Sequence, residues 1–505
     1  MAGDMTAPAA VAPALFLGAG PRPGEQLRAH ALAVADAVTA ASGRGRPYSG
    51  ADPAALAAAI AAIDPCPEDG IEFEDVLAGL AGTVLAHGVD VADPCCAAHL
   101  HCPTLLPAAA AELAIGATNQ SLDSFDQAPA ATLVEDHLVR WLAATLGLPD
   151  GSGVLTSGGT ASNLLGLLIA REQACARVAG HGLGAGLPAR HRRWRIVTSR
   201  GAHDSVRRAA AVLGLGTDAV VAVATDRAGR LDVAALDGAL AALDAAGDEP
   251  IAIVATAGTT DLGAIDPLAP IAERARACGA WLHVDAAVGS AFALSPRLAP
   301  RLAGLERADS ITADLHKLWF MPIGASALLV RDVAVLDAVH HHSDYLNRAD
   351  DQADGVLNLV GRSLDTSRRF DALKILVGLR STGRRRMAAM VEGLVDLTAA
   401  AGRAVQEHDE LELLAPPSTV TVVFRWRPAA GSPLPAAAVD AVNVAAQRAL
   451  LRSGRAIVGR TRLDGRIALK LTLVNPLADE AGVQRLLELV AGAARDARAH
   501  AETAR

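Results

Sequence analysis

A chain of 505 residues that is 51% hydrophobic holds enough apolar material for two or three packed units and a deep site among them. Its formal charge of −9 gives no general attraction to nucleic acid or anionic membrane, and no long Lys/Arg run supplies a local one, so neither is expected as a partner. Six cysteines without a Cys-x-x-Cys pair exclude a disulfide scaffold and zinc knuckles, and fit a reducing cytoplasm.

Residues 1 to about 24 are rich in Ala, Pro and Gly and predict a mobile arm. Asp4 stands where a secretory leader would be basic, so the apolar Leu15-Phe16-Leu17 imitates a leader only weakly. Helices are expected over 25–41 and 53–63, separated by a Gly/Arg/Pro segment. From residue 154 the pattern changes to short apolar runs, each followed by a helical stretch: 154–156, 195–198, 219–224, 251–256, 281–284, 310–312 and 325–330. These predict an α/β fold with a seven-stranded, mostly parallel sheet covered by helices. No apolar run is long enough to cross a bilayer. After about residue 386 a helix, strands at 420–424 and 467–473, and a final helix over 479–497 describe a small C-terminal α+β domain. The expected division is an N-terminal arm and helical segment over 1–97, a large domain over 98–386 and a small domain over 387–505.

Lysine is almost absent: Lys317, Lys374 and Lys470 are the only three, against 46 basic side chains in all. Arginine replaces lysine as a charge but not as an amine that condenses with a carbonyl, so a retained lysine invites a search for that chemistry. Nucleotide composition explains the same scarcity, and the neighbours must decide.

In a parallel sheet ligands settle beyond the carboxyl ends of the strands. The first run ends in Thr156-Ser157-Gly158-Gly159-Thr160-Ala161-Ser162-Asn163 and then a helix. Its start either cradles an anion on free backbone amides or is only a tight turn. After the second run His203 is placed either to stack on a flat cofactor or to cap a helix. After the fourth, Thr256-Ala257-Gly258-Thr259-Thr260 offers hydroxyls to a ring or forms a turn. The fifth, His283-Val284-Asp285-Ala286-Ala287, puts a carboxylate at the end of a hydrophobic strand, where it calls for a cationic partner. An arginine would serve; so would a pyridinium nitrogen, with Ala287 leaving room for one ring face and His203 against the other. The sixth leads to Asp314-Leu315-His316-Lys317. The triplet His340-His341-His342 does not place its rings on one helix face, and no metal is expected.

In order and spacing these segments, with Ser367-Arg368-Arg369-Phe370-Asp371-Ala372-Leu373-Lys374, resemble the group II, fold-type I pyridoxal-phosphate-dependent amino-acid decarboxylases, which include the aromatic amino-acid, glutamate and diaminobutyrate enzymes. The resemblance covers about 98–386. It implies pyridoxal 5'-phosphate as cofactor, Lys317 as the lysine that bonds its aldehyde, Asp285 as partner of the ring nitrogen and His203 as the stacking residue. It further implies Gly159, Thr160, Asp314 and His316 as phosphate-side or lysine-flanking contacts, Thr260 near the ring and Thr104 near the substrate carboxylate. The segment 342–347 resembles the family's catalytic loop, in which Tyr345 would return a proton to the alpha carbon. Family members are homodimers with the active site at the interface, and the segment Thr366-Ser367-Arg368 is one that would reach across.

The stretches 98–104 and 119–127 look most like decarboxylases of basic amino acids: 2,4-diaminobutyrate, ornithine or lysine. Asp123 and Asp126 are candidates for the distal ammonium, or else turn caps. Val288, where an aromatic residue often follows Asp-Ala-Ala, departs from the pattern, as does the segment 315–320. Aromatic or acidic substrates, transamination or aldehyde cleavage on the same fold, and a non-catalytic scaffold remain alternatives.

Overall fold

The computed structural model describes residues 16–18, 21–178, 185–340, 354–429 and 434–503. After a two-residue strand β1 (Cys96–Ala97) come β2 (Ser152–Thr156), β3 (Trp194–Ser199), β4 (Val220–Val223), β5 (Glu249–Thr256), β6 (Trp281–Asp285), β7 (Ser310–Asp314) and β8 (Ser326–Val330). Strands β2 to β8 form one sheet in the order β2-β8-β7-β6-β5-β3-β4. All seven apolar runs are therefore strands of one sheet. Strand β8 runs antiparallel to both neighbours and the other pairs are parallel. Val, Ile, Leu and Ala dominate these strands because both sheet faces are covered by packed side chains.

Helices α1 (Pro21–Ala41), α2 (Pro53–Ala61) and α3 (Phe73–Thr83) precede α4 (Leu106–Thr118) and α5 (Pro129–Thr145). Among and after the strands of this sheet follow α6 (Gly159–Ala176), α7 (Ser205–Val212), α8 (Val233–Ala246), α9 (Leu268–Cys278) and α10 (Ala372–Thr382). Helix α6 begins three residues after β2 and buries Leu165, Leu167, Leu168 and Ile169, so its N-terminus is fixed at the carboxyl edge of the sheet. Successive connections from β3 and β5 leave to opposite sides, opening a crevice between these two adjacent strands, the place such folds use for ligands.

The second sheet has the order β1-β11-β12-β10-β9, with β9 (Leu411–Leu413), β10 (Thr421–Trp426), β11 (Ile457–Leu463) and β12 (Arg466–Thr472). Helices α11 (Arg384–Glu407), α12 (Ala436–Ser453) and α13 (Glu480–Thr503) enclose its own apolar core. Strands β9 and β11 go beyond the two strands expected here. β11, Ile457-Val458-Gly459-Arg460-Thr461-Arg462-Leu463, has too much charge to stand out, yet Asp464 (φ 48) and Gly465 (φ 77) supply the two left-handed residues of a tight hairpin. Strand β1 pairs in parallel with β11, so the end of the N-terminal segment completes the small sheet.

The segment after residue 365 packs on helix α5 and the residues before it in the same chain. The Leu122 amide donates to the Arg368 carbonyl at 2.9 Å, and the Arg368 guanidinium pairs with fully buried Glu135. Lys374, with no exposed surface, pairs with Glu112 at 2.8 Å and Asp371 at 2.9 Å. Lys374→Met strands two partly hydrated acids and is expected to cost about 3 kcal/mol, measured by denaturant unfolding, towards the low end for a broken buried pair. Burial pushes the Glu112 carboxyl up, but its hydrogen bonds and charge contacts with Lys374 and Arg369 outweigh that and hold it below its ordinary value. Its contribution to stability is therefore complete above the usual carboxylate range and is lost as pH falls through the lowered folded value. The stability difference between wild type and Glu112→Gln should shrink accordingly in acid.

Candidate active site

Beyond the carboxyl ends of β5, β6 and β7 lies a cavity of about 420 Å³. Its lining brings together Gly159, Thr160, His203, Thr260, Asp285, Ala287, Asp314, His316 and Lys317, which the sequence spreads over more than 150 positions. It also includes Thr256, one of the hydroxyls expected near a ring, and Asn163 and Ile323, to which sequence reasoning gave no role.

Asp285 ends β6 and is only 6% exposed. Its Oδ2 accepts from Asn163 Nδ2 at 2.9 Å and its Oδ1 from the Ala287 amide at 3.1 Å. No arginine pairs with it among the described residues, so the arginine alternative finds no support. In the adjacent strand its register partner is Thr256, whose Oγ1 is buried and without a hydrogen-bond partner.

Lys317 follows β7 by three residues, and its Nζ lies 2.8 Å from Asp314 Oδ2. Asp314 is 2% exposed, and its other oxygen has no partner among the described residues. His316 flanks the pair, with Nε2 3.7 Å from Asp314 Oδ2 and Nδ1 2.8 Å from the Ala325 carbonyl. The turn carrying the lysine is held by unusual backbone: Phe320 sits at φ 59, a left-handed conformation costing about 1–3 kcal/mol, and burial of its ring sustains it. Its amide donates to the Lys317 carbonyl at 2.9 Å, and its carbonyl accepts from Leu105. The Cys102 thiol also donates to the Lys317 carbonyl, at 2.9 Å; burial pushes that thiol up to about 12, so it is a structural donor rather than a nucleophile.

At the start of α6 the Ala161 and Ser162 amides donate to the Gly158 carbonyl at 2.9 and 3.1 Å, while those of Gly159 and Thr160 precede the first helical bond, and the helix dipole adds to their attraction for an anion. Glycine is required here by space: a Cβ on Gly159 would lie 2.9 Å from both Asp314 carboxylate oxygens. His203 is exposed, with Nδ1 2.9 Å from Ser205 Oγ and 3.2 Å from the Ser205 amide. Its ring is thus anchored at one edge and open on the cavity side. Thr260 is steadied from the second sheet, where Lys470 of β12, 7% exposed, donates to the Thr260 carbonyl at 2.8 Å. Lys470→Met should cost about 1.5–3 kcal/mol, the scale of a hydrogen bond from a charged donor, checked by denaturant unfolding.

Other candidates lie apart. Thr104 is exposed and absent from the lining, although its neighbour Leu105 is bonded to the lysine turn. Tyr345 and the segment 342–347 fall outside the described residues. Asp123 accepts from the Ser121 hydroxyl at 2.7 Å, and Asp126 from Ser124 at 2.5 Å, as turn acids do. Neither lines the cavity.

Comparison with known proteins agrees with this geometry. Residues 62–427 match the family model described as "Pyridoxal-dependent decarboxylase conserved domain". The chain is 43% identical over 454 residues to L-2,4-diaminobutyrate decarboxylase of Rhizobium meliloti (strain 1021), covering 90% of this chain and 88% of that one. It is 38% identical over 432 residues to L-2,4-diaminobutyrate decarboxylase of Acinetobacter baumannii, covering 84% of each. Among solved structures, the glutamate decarboxylase domain of diaminobutyrate-pyruvate transaminase and L-2,4-diaminobutyrate decarboxylase from Vibrio parahaemolyticus superposes with a TM-score of 0.86 at 36% identity, over 95% of this chain and 98% of that one. With a match of this extent, and with an amine and an acid meeting where strands β6 and β7 end, the chain belongs to the pyridoxal-dependent amino-acid decarboxylases.

Proposed function

We propose that this decarboxylase acts on L-2,4-diaminobutyrate, releasing its alpha carboxylate as carbon dioxide and leaving propane-1,3-diamine. The observation that carries this reading is the 43% identity over 90% of the chain to an enzyme named for that substrate. Ornithine and lysine, longer by one and two methylenes, are the nearest competitors. A panel of L-2,4-diaminobutyrate, ornithine, lysine, glutamate, cysteine sulfinate and tyrosine, scored for carbon dioxide release, tests it. The highest kcat/KM is expected with diaminobutyrate, and a preference for glutamate or cysteine sulfinate would overturn the substrate.

The cavity fits pyridoxal phosphate on its own features: a primary amine, a strand-end carboxylate without a cationic partner, an unpartnered hydroxyl on Thr256 and an amide cradle with no side chain at Gly159. In this reading Lys317 Nζ would hold the cofactor aldehyde, Asp285 the protonated ring nitrogen, His203 and Ala287 the ring faces, and the amides of Gly159 and Thr160 the phosphate. His316 and Asp314 would set the position of the lysine, and Thr260 would lie near the ring. When bound, the cofactor supplies an electron-withdrawing ring that accepts the electron pair left on the alpha carbon. The chain's part would be orientation: the cavity residues would hold the substrate so that its carboxylate bond, rather than a C–H bond, is the one broken, with Thr104 proposed as a carboxylate contact. Lys317 Nζ, 2.8 Å from Asp314 Oδ2, would be an amine able to move a proton, and Tyr345 is the second group proposed to return one to the alpha carbon.

The working enzyme is proposed to be a homodimer with its site at the interface. Helices α1, α2 and α3 bury no residue within the protomer and expose Leu32, Val38, Ile60 and Val76, an apolar surface suited to a second copy. The divisions 1–97, 98–386 and 387–505 then serve dimer contact, cofactor binding and closure of the site. Six free cysteines fit a cytoplasmic enzyme. No helix among the described residues is long and apolar enough to cross a membrane.

A further inference from the structure

A continuous line of hydrogen bonds runs through the sheet into the cavity. It begins at Trp281, whose Nε1 lies 2.7 Å from Ser310 Oγ, and passes from Ser310 Oγ to His283 Nδ1 at 2.8 Å. His283 Nε2 lies 2.9 Å from Asn163 Oδ1. Asn163 Nδ2 then divides, reaching Asp285 Oδ2 at 2.9 Å and Ser205 Oγ at 2.8 Å. Ser205 Oγ completes the line at His203 Nδ1, 2.9 Å away. Ser310, His283, Asn163 and Ser205 are each 0–1% exposed, so water does not compete for these bonds.

The direction of every bond follows from the Asp285 carboxylate, which can only accept. Asn163 therefore gives Nδ2 to Asp285 and turns Oδ1 to His283 Nε2, which must donate; His283 Nδ1 then accepts from the Ser310 hydroxyl, whose oxygen takes the Trp281 indole N–H. Burial pushes the His283 imidazole below its ordinary value, with Asp285 pulling the other way, and the neutral ring carries its single proton on Nε2. With the Asn163 carbonyl turned to His283, both amide hydrogens are committed to Asp285 and Ser205. His203 Nδ1 accepts the Ser205 amide, so the Ser205 hydroxyl also donates to it, and the ring proton sits on Nε2. The fold makes room for this arrangement: a Cβ on Gly166 of α6 would lie 2.7 Å from His283 Cε1 and 2.8 Å from Nδ1.

We propose that Asn163 and His283 are positioning residues, forming a directed relay that fixes the Asp285 carboxylate and the His203 tautomer together. A buried network satisfied at every member rigidifies the groups it holds, and outer partners of this kind are worth about ten- to a hundredfold where they orient a ligating group. The inference rests on the cofactor reading, which labelling of Lys317 in the wild type tests separately.

The test is titration of the apoenzyme with pyridoxal phosphate, followed by absorption of the bound form, with apoenzyme unfolding as a control. His283→Phe fills the space without the relay atoms and is expected to raise the cofactor Kd about tenfold or more and to change the absorption spectrum. His283→Gln, whose amide can accept from Ser310 and donate to Asn163, is expected to recover most of both. Ser205→Ala, which cuts only the branch to His203, keeps the test open if His283→Phe does not fold; it should alter the spectrum, and Ser205→Thr should restore it. Folded His283→Phe, or in its place Ser205→Ala, with wild-type cofactor Kd and spectrum would overturn the proposal, as would failure of His283→Gln to improve on a folded His283→Phe.

Discussion

Lys317→Ala is expected to lower kcat/KM on the order of 10⁴-fold or more, the scale of losing a group that takes part directly in bond making and proton transfer. Lys317→Arg should lose as much. Arginine keeps a positive charge within reach of Asp314 but cannot condense with a carbonyl or give up its proton at working pH, so the pair of variants separates the amine from its ion pair with Asp314. Unfolding midpoints near wild type would show that the loss is chemical. Steady-state decarboxylation within a few-fold of wild type in either variant would remove Lys317 from the reaction.

Asp285→Asn is expected to lower kcat about 100- to 1,000-fold, comparable to removing a preorganised electrostatic contact from a desolvated site, and to weaken cofactor retention. The substitution is nearly isosteric, and its carbonyl oxygen can still accept from Asn163 or the Ala287 amide. What disappears is the charge opposite the proposed ring nitrogen. The measurement is kcat at saturating cofactor together with the cofactor Kd; a variant unchanged in both would mean that the carboxylate serves only the local hydrogen bonds.

Much of this site was legible because its residues come at strand ends. Seven apolar runs announced the sheet, and in a parallel sheet the next few residues of each strand must share one edge, so Asp285, Lys317, His203 and the glycines at 158–159 were brought together by topology alone. The scarcity of lysine was a less specific guide than it first looked. All three lysines are wholly or largely buried and ion-paired, Lys317 with Asp314, Lys374 with Glu112 and Asp371, and Lys470 with Asp261, while Lys470 also donates to the Thr260 carbonyl. Scarcity marked positions where a slender amine is needed, of which only one faces the cavity.

The relay was hidden for the opposite reason. Asn163 and His283 were in view within their motifs, but their partnership depends on a helix face crossing behind two strands at one height, which no local pattern encodes. The same holds for Lys470, whose contact spans 210 positions from one sheet to a loop of the other. Strand β11 was missed because alternating arginines masked its apolar positions, although Asp464-Gly465 marked the hairpin.

The account turns on which nitrogen carries the cofactor, and borohydride reduction of the holoenzyme followed by digestion and mass spectrometry reads this directly. A pyridoxyl mass increment is predicted on the peptide containing Lys317 and on neither of those containing Lys374 and Lys470. A label on one of the other two lysines, or an unlabelled and colourless protein after supplementation with vitamin B6, would contradict it.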